Sequence, residues 1–146
     1  MIKAEDLRIG DLVRVRKMKY FSSIIPEDVA YKVTQIISKD SLINNRSSVC
    51  LCLTNPKQNQ TEYPMTCESL LPIPLTREIF EKNGWKRDKL VPYIYGHEAH
   101  NIEVICTPNS EWVNVTFKGD TLHRIKYAHE LQRILWALGE DAKLKI

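Results

Sequence analysis

A proline-rich segment in the middle of the chain constrains the fold more than any other feature. In Leu71-Pro72-Ile73-Pro74-Leu75 two prolines alternate with aliphatic residues. The residue before each proline is pushed towards extended geometry, so the segment is a semi-rigid strap. We expect it to separate a first module, residues 1–71, from a second module, residues 72–146. The pattern leaves open whether the two modules share one core or have two.

The first module has the pattern of short strands joined by turns. Leu12–Arg16 alternates apolar and basic residues, Tyr31–Ile37 is rich in β-branched residues, and Val49–Leu53 is apolar on both faces. Lys17–Ala30 is a longer connection between the first two. Strands of this length and spacing predict an SH3-like module, a small and strongly bent β-barrel or sheet.

The second module begins with a short predicted helix over residues 77–83. Thr76 is a suitable N-cap, and Asn83-Gly84 is typical of a helix C-terminus. Further strands are predicted after this helix, with Gly119-Asp120 as the turn of a hairpin. These strands are Leu90–Tyr95, Ile102–Thr107, Trp112–Lys118 and Leu122–Lys126, with a final short one over Ala142–Ile146.

The longest helical pattern lies near the C-terminus, over residues 127–138. Its apolar residues recur at helical spacing, and Gly139 follows as a terminator. They are Tyr127, Leu131, Ile134, Leu135 and Leu138. The predicted fold is therefore α+β: an N-terminal SH3-like or bent β-barrel module, followed by an antiparallel sheet that carries one long C-terminal helix.

The opposite side of that helix is predicted to be an interaction surface. Trp136 lies about 180° from the apolar stripe, with His129 and Gln132 beside it. A solvated helix face has no need of so large an apolar side chain. We therefore predict that Trp136 is buried in the assembled protein, by the first module, a second copy or a partner protein.

Composition and charge exclude several classes of protein. Of the 146 residues, 43% are apolar and 27% charged, which is ordinary for a globular chain. The formal net charge of +3 demands neither nucleic acid nor a membrane surface. The charged residues 1–6 are not followed by the apolar region of a secretory signal, so none is predicted, and no apolar run is long enough to span a bilayer. We expect a cytoplasmic protein that does not bind membranes.

Catalytic and metal-binding patterns are weak throughout the sequence. His97-Glu98-Ala99-His100 has histidines three apart, whereas a zincin helix needs them four apart. Neither a Gly-x-Ser-x-Gly elbow nor a glycine-rich phosphate loop is present. His129, in the first turn of the long helix, is the one candidate general base. No catalytic residue, metal or cofactor is therefore predicted.

The four cysteines are predicted to be reduced thiols. No Cys-x-x-Cys pair occurs among them, and a cytoplasmic protein keeps such residues as small apolar side chains. They are Cys50, Cys52, Cys67 and Cys106.

A basic cluster follows the first predicted strand. Its cations are Arg14, Arg16, Lys17 and Lys19, with Tyr20 adjoining and no acidic residue from 12 to 20. Cations beside an aromatic ring on a small barrel could follow a phosphate backbone and stack bases. The alternative is that the long side chains protect an exposed strand edge from pairing.

Four short signatures resemble those of a family of small uncharacterised bacterial and phage proteins. They are Leu7-Arg8-Ile9-Gly10, Pro72-Ile73-Pro74-Leu75-Thr76 with Ile79, Asn83-Gly84-Trp85, and Ile125-Lys126-Tyr127 with His129 and Leu131-Gln132. The resemblance implies a shared fold and a mobile-element origin, and it carries no activity. We expect a non-enzymatic cytoplasmic interaction or accessory module that binds a partner protein or itself. The alternatives are a nucleic-acid-binding module using residues 12–20 and, third, an enzyme of unknown class.

Overall fold

The chain divides into two compact units, and the boundary between them lies in the proline strap. The units are Met1–Ile73 and Pro74–Ile146. The computed structural model describes residues 2–16, 29–37, 48–53, 63–97 and 101–146. Within these ranges the strands form antiparallel sheets and two α-helices lie in the second unit, which confirms the predicted α+β class.

The first unit is an open, five-stranded antiparallel sheet. Its strands pair in the order β4-β3-β2-β1-β5. They are β1 (Leu12–Val15), β2 (Tyr31–Ile37), β3 (Ser48–Leu53), β4 (Tyr63–Thr66) and β5 (Leu70–Pro72). A 3-10 turn, Cys67–Ser69, joins β4 to β5. Among the described residues no pairing links these two outer strands, so a closed barrel, one form of the prediction, is not found.

The apolar positions of β1 and β2 build the core of the first unit. Val13 and Val15 on β1 and Tyr31 and Val33 on β2 are buried, as the alternating patterns predict. The two last strands of this unit were not predicted, because β4 contains Pro64 and β5 ends at Pro72. Proline is tolerated at the edge of a sheet, and both strands lie there.

The second unit is a five-stranded antiparallel sheet with two helices. Its strands pair in the order β10-β9-β8-β7-β6. They are β6 (Lys86–Arg87), β7 (Ile94–Gly96), β8 (Ile102–Ile105), β9 (Val113–Phe117) and β10 (Asp120–Ile125). The helices are α1 (Arg77–Lys82) and α2 (Ala128–Ala137), close to their predicted positions. No helix in the described part of the chain is long and apolar enough to cross a membrane.

Two turns in the second unit differ from the predicted ones. β7 begins four residues later than predicted, because the Asp88 carboxylate accepts the backbone N–H groups of Leu90 and Val91 and holds them in a turn. The β9–β10 hairpin turns at Lys118-Gly119, where both residues have positive φ (51° and 89°). Two successive left-handed residues match the right-handed twist of the strands on either side.

Helix α2 packs its apolar stripe on the inner face of the sheet. Leu131 and Leu135 are fully buried against Val115 and Ile125, and Ile134 and Leu138 pack at the margin of this core. The Glu130 carboxylate accepts the backbone N–H groups of Lys126 and Tyr127 and so caps the start of the helix. The helical period of the stripe therefore correctly predicted which face of α2 is apolar and that this face packs on the sheet.

The last residues of the chain do not form the predicted strand. Residues 140–146 run without regular structure, and Ala142 and Leu144 pack against the core of the second unit. The Gln132 side chain of α2 donates a hydrogen bond of 3.1 Å to the carbonyl of Ala142. Side chains rather than a neighbouring strand therefore hold this C-terminal segment.

Candidate interaction surface

The predicted basic cluster is only partly within the described residues. Arg14 is half-buried on β1 and Arg16 is exposed just after it, whereas Lys17, Lys19 and Tyr20 lie outside the described ranges. β1 pairs with β2 on one side and β5 on the other. The described pairing with β2 covers only Leu12 and Val13, so at Arg14 only the β5 side is paired. The interpretation that these arginines protect a strand edge therefore stays a prediction.

The predicted outer stripe of α2 is buried over most of its length. His129 and Gln132 are only 5% and 7% exposed, whereas Trp136 is 66% exposed. His129 stacks on Tyr127 with ring centroids 5.8 Å apart, and Gln132 holds the C-terminal segment. The expectation that all three form one outer face is therefore wrong for His129 and Gln132, since the chain itself covers them.

The structure describes only part of the weak metal motif and of the cysteines, and finds no cluster of ligands in that part. His97 packs edge-on against Trp85 at 5.5 Å, and residues 98–100 lie outside the described ranges. No group of three histidine, cysteine or acidic side chains is placed to hold a metal in the described part of the chain. Cys67 and Cys106 are free thiols. Burial raises the pKa of both, that of Cys106 to about 11.

A group of exposed and half-buried side chains surrounds Trp112, the residue before β9. Trp112 is 42% exposed. The guanidinium carbon of Arg124 lies 5.4 Å from the centroid of its ring, and the Lys126 ammonium lies 6.0 Å from it. The same ammonium lies 5.8 Å from the Tyr127 ring. We call Trp112, Arg124, Lys126 and Tyr127 the aromatic–cation surface.

The hairpin register builds this surface. Ile125 lies opposite Val113 and Arg124 opposite Asn114 in the β9–β10 pair. Val113 and Ile125 are buried, so Trp112, Arg124 and Lys126, which alternate with them along the two strands, project from the opposite face. A cation near the face of an aromatic ring is attracted by the negative charge of that face.

Charge fixes one member of the surface in place. Lys126 forms a short ion pair with Glu111, the residue before Trp112. Their hydrogen bond lowers the pKa of the Glu111 carboxyl and raises the pKa of the Lys126 ammonium. Glu111 therefore neutralises one of the two cations, and Arg124 supplies the excess positive charge beside the ring.

β10 places this surface at the edge of the sheet. It pairs only with β9 among the described strands, and all its residues except Ile125 are exposed. The register shifts between Thr121 and His123, so Leu122 bulges out and is itself exposed. An exposed edge beside a tryptophan can pair with an extended segment of another chain.

The sequence predicts Trp112 at the start of a strand but does not identify this surface. Two features of the sequence could have revealed it. A hairpin turn follows the strand after Trp112, and Arg124 and Lys126 lie two residues apart on the returning strand. Pairing the two strands across the correct turn would have brought both cations to Trp112.

Comparison with protein-family models, with curated proteins and with solved structures gives no match for this chain.

Proposed function

We propose that this protein is a non-enzymatic cytoplasmic interaction module that binds a partner protein through the aromatic–cation surface and the edge of β10. The observation that carries the proposal is an exposed tryptophan with two cations near its ring, beside an exposed strand edge. Tryptophan and arginine are the residues most enriched among those that dominate binding energy. A protein with no partner has no evident need to expose both together.

The partner is an extended segment that carries carboxylates. Backbone pairing along β10 would supply affinity without regard to sequence, and Trp112 and Arg124 would select an apolar side chain followed by an acidic one. The bulge at Leu122 interrupts the edge, so the pairing would begin on the side of Arg124, where the ladder with β9 is regular.

The first unit is proposed to be an SH3-like module. Its support is the strand order β4-β3-β2-β1-β5, a meander from β2 to β4, and the 3-10 turn between β4 and β5. The resemblance of the short signatures to phage and bacterial proteins supports a mobile-element origin.

The experiment starts with the tagged protein purified from its native host, with and without nuclease treatment. A co-purifying protein is identified, reconstituted from pure components and titrated against the chain by fluorescence. We expect Trp112→Ala to weaken its binding by about thirtyfold, as for an interface residue worth 2 kcal/mol. Arg124→Ala should weaken it as well, and more strongly at low salt.

Leu90→Ala is the matched control, because Leu90 is an exposed apolar side chain of the same unit outside the aromatic–cation surface. It should bind as the unmodified chain does. Unchanged affinity in both Trp112→Ala and Arg124→Ala would contradict the proposal. A yield of partner that nuclease abolishes would favour the nucleic-acid alternative instead.

A further inference from the structure

An open groove of about 930 Å³ crosses one end of the sheet in the second unit. Its walls come from β6 and the loop that follows it on one side, and from the β9–β10 hairpin turn on the other. The ends of β7 and β8 form its floor. Gly96 lies on that floor, and a side chain there would meet nothing within 4 Å, so the groove reaches the backbone.

Positive charge dominates the groove. Four cations line it, against two carboxylates among the described residues. The cations are Lys86, Arg87, Lys89 and Lys118. The Asp88 carboxylate accepts two backbone N–H groups, which lower its pKa and hold it to its own turn. Glu103 on β8 is therefore the only carboxylate on the floor in the described part of the chain.

The cations lie on two sides of the groove rather than in one cluster. β6 and β9 are separated by β7 and β8, and three interstrand steps of about 4.8 Å place them about 14 Å apart. Lys86 belongs to β6, and Lys118 follows β9. A single small anion would contact one wall only. A chain of anionic groups that crosses the floor would contact both.

We propose that this groove binds the phosphodiester backbone of a single-stranded nucleic acid. Cations on two walls and an open floor suit a flexible strand, because its successive phosphates can reach both walls. A duplex is wider than the separation of the walls and would rest on one of them. Exposed Leu90, on the wall of Lys89, would offer an apolar surface to a base.

The site is distinct from the aromatic–cation surface and from the basic cluster at residues 12–20. None of Trp112, Arg124 or Lys126 lines the groove. The proposed nucleic-acid site therefore lies in the second unit rather than in the first. It is additional to the surface proposed to bind a partner protein.

The test is the binding of a short fluorescent oligodeoxynucleotide of mixed sequence, followed by anisotropy at several salt concentrations. We expect measurable affinity at low salt that falls as salt rises, because bound phosphates release counterions. Lys86→Ala combined with Lys118→Ala removes one cation from each wall. The plot of log K against log salt should become shallower, with the magnitude of its slope reduced by about 1.4. The affinity at low salt should fall by about tenfold.

Three matched variants separate the groove from net charge and from the other surfaces. Lys3→Ala combined with Lys143→Ala removes the same charge from exposed positions outside the groove and should bind more tightly than the groove variant. Glu103→Gln removes the carboxylate on the floor and should strengthen binding severalfold. Trp112→Ala should leave oligonucleotide binding unchanged. The proposal for the groove and the proposal for the partner surface can therefore be contradicted independently.

Several results would overturn the proposal. One is the absence of oligonucleotide binding by the unmodified chain at low salt. Others are equal loss in the groove variant and the Lys3–Lys143 control, or weaker binding in Glu103→Gln. Equal affinity for a duplex or for polyglutamate would show a general attraction for polyanions. A further contradicting result is loss of oligonucleotide binding in the Arg14→Ala, Arg16→Ala double variant but not in the groove variant. It would place the nucleic-acid site in the first unit.

Discussion

The Asn83 side chain forms two reciprocal hydrogen bonds with the backbone of Lys145, 62 residues away. Its amide nitrogen donates to the Lys145 carbonyl at 2.8 Å, and its amide oxygen accepts the Lys145 N–H at 2.7 Å. An asparagine side chain thus pairs with the C-terminal segment as a neighbouring strand would. The same nitrogen also donates to the carbonyl of Ile79 in the last turn of α1.

Asn83→Ala should therefore release the C-terminal segment from α1. The substitution removes the two bonds to Lys145 and the bond to Ile79, at about 0.5–1.5 kcal/mol each, so we expect the free energy of unfolding to fall by about 1.5–4.5 kcal/mol. Chemical denaturation measures this loss, and hydrogen exchange at the Lys145 amide reports the release directly. Lys145→Ala is the control, because both bonds use its backbone. An equal effect in the two variants would show that the pairing is not responsible.

The exposed Trp136 on α2 leads to a prediction about assembly. Its side chain is 66% exposed in the chain. Burial of an indole contributes roughly 1.5–3 kcal/mol. We predict that Trp136→Ala either lowers the melting temperature at constant mass, with the first unit as cover, or yields a smaller particle in light scattering, with a second copy as cover. If a partner protein is the cover, the Trp136→Ala variant should no longer recover that protein from the host. If stability, mass and partner recovery all stay the same, the side chain is simply exposed.

The arginines of the first unit carry the alternative nucleic-acid prediction. If Arg14 and Arg16 contact phosphates, their joint replacement by alanine should weaken binding and flatten the salt slope by about 1–2. Fluorescence titration over a salt series measures both quantities. Arg14 is half-buried on a strand inside the sheet, so its replacement could disturb the fold. The circular dichroism spectrum and melting curve of the double variant must therefore first match those of the unmodified chain. Retention of the full slope in this variant would remove the basic cluster as the site.

The raised pKa of Cys106 predicts slow modification. Burial raises the pKa of this thiol from 9.0 to about 11, so the reactive thiolate is roughly a hundredfold scarcer than in the unfolded chain. Alkylation followed by peptide mass spectrometry should show slow labelling in the native protein and rapid labelling in denaturant. Labelling at the same rate under both conditions would contradict the partly buried environment of Cys106.

The four cysteines together predict a fold that depends on neither metal nor disulfide. A strong chelator and a reductant, added separately, should each leave the melting temperature unchanged. A sharp fall with the chelator would reveal a structural metal site. A sharp fall with the reductant would reveal a disulfide.

Local patterns in the sequence were sufficient for the elements whose structure depends on near neighbours. The β-branched run Tyr31–Ile37 is a strand with the predicted bounds. The period of Leu131, Leu135 and Leu138 predicted α2 and its face, and Gly139 ends it with positive φ. In each of these elements the apolar spacing or the cap residue acts within a few positions of the chain.

The tertiary structure decided every feature that joins distant residues. The Gln132 side chain is buried and hydrogen-bonded to Ala142 of the C-terminal segment, and no pattern within the helix encodes the return of that segment. β1 lies inside its sheet because β5, more than fifty residues later, pairs with it. Trp112 lies beside Arg124 because of the hairpin register. The sequence by itself determined which face of an element is apolar, since that follows from its period. Which segment covers that face depends on pairing between parts of the chain that only the folded structure brings together.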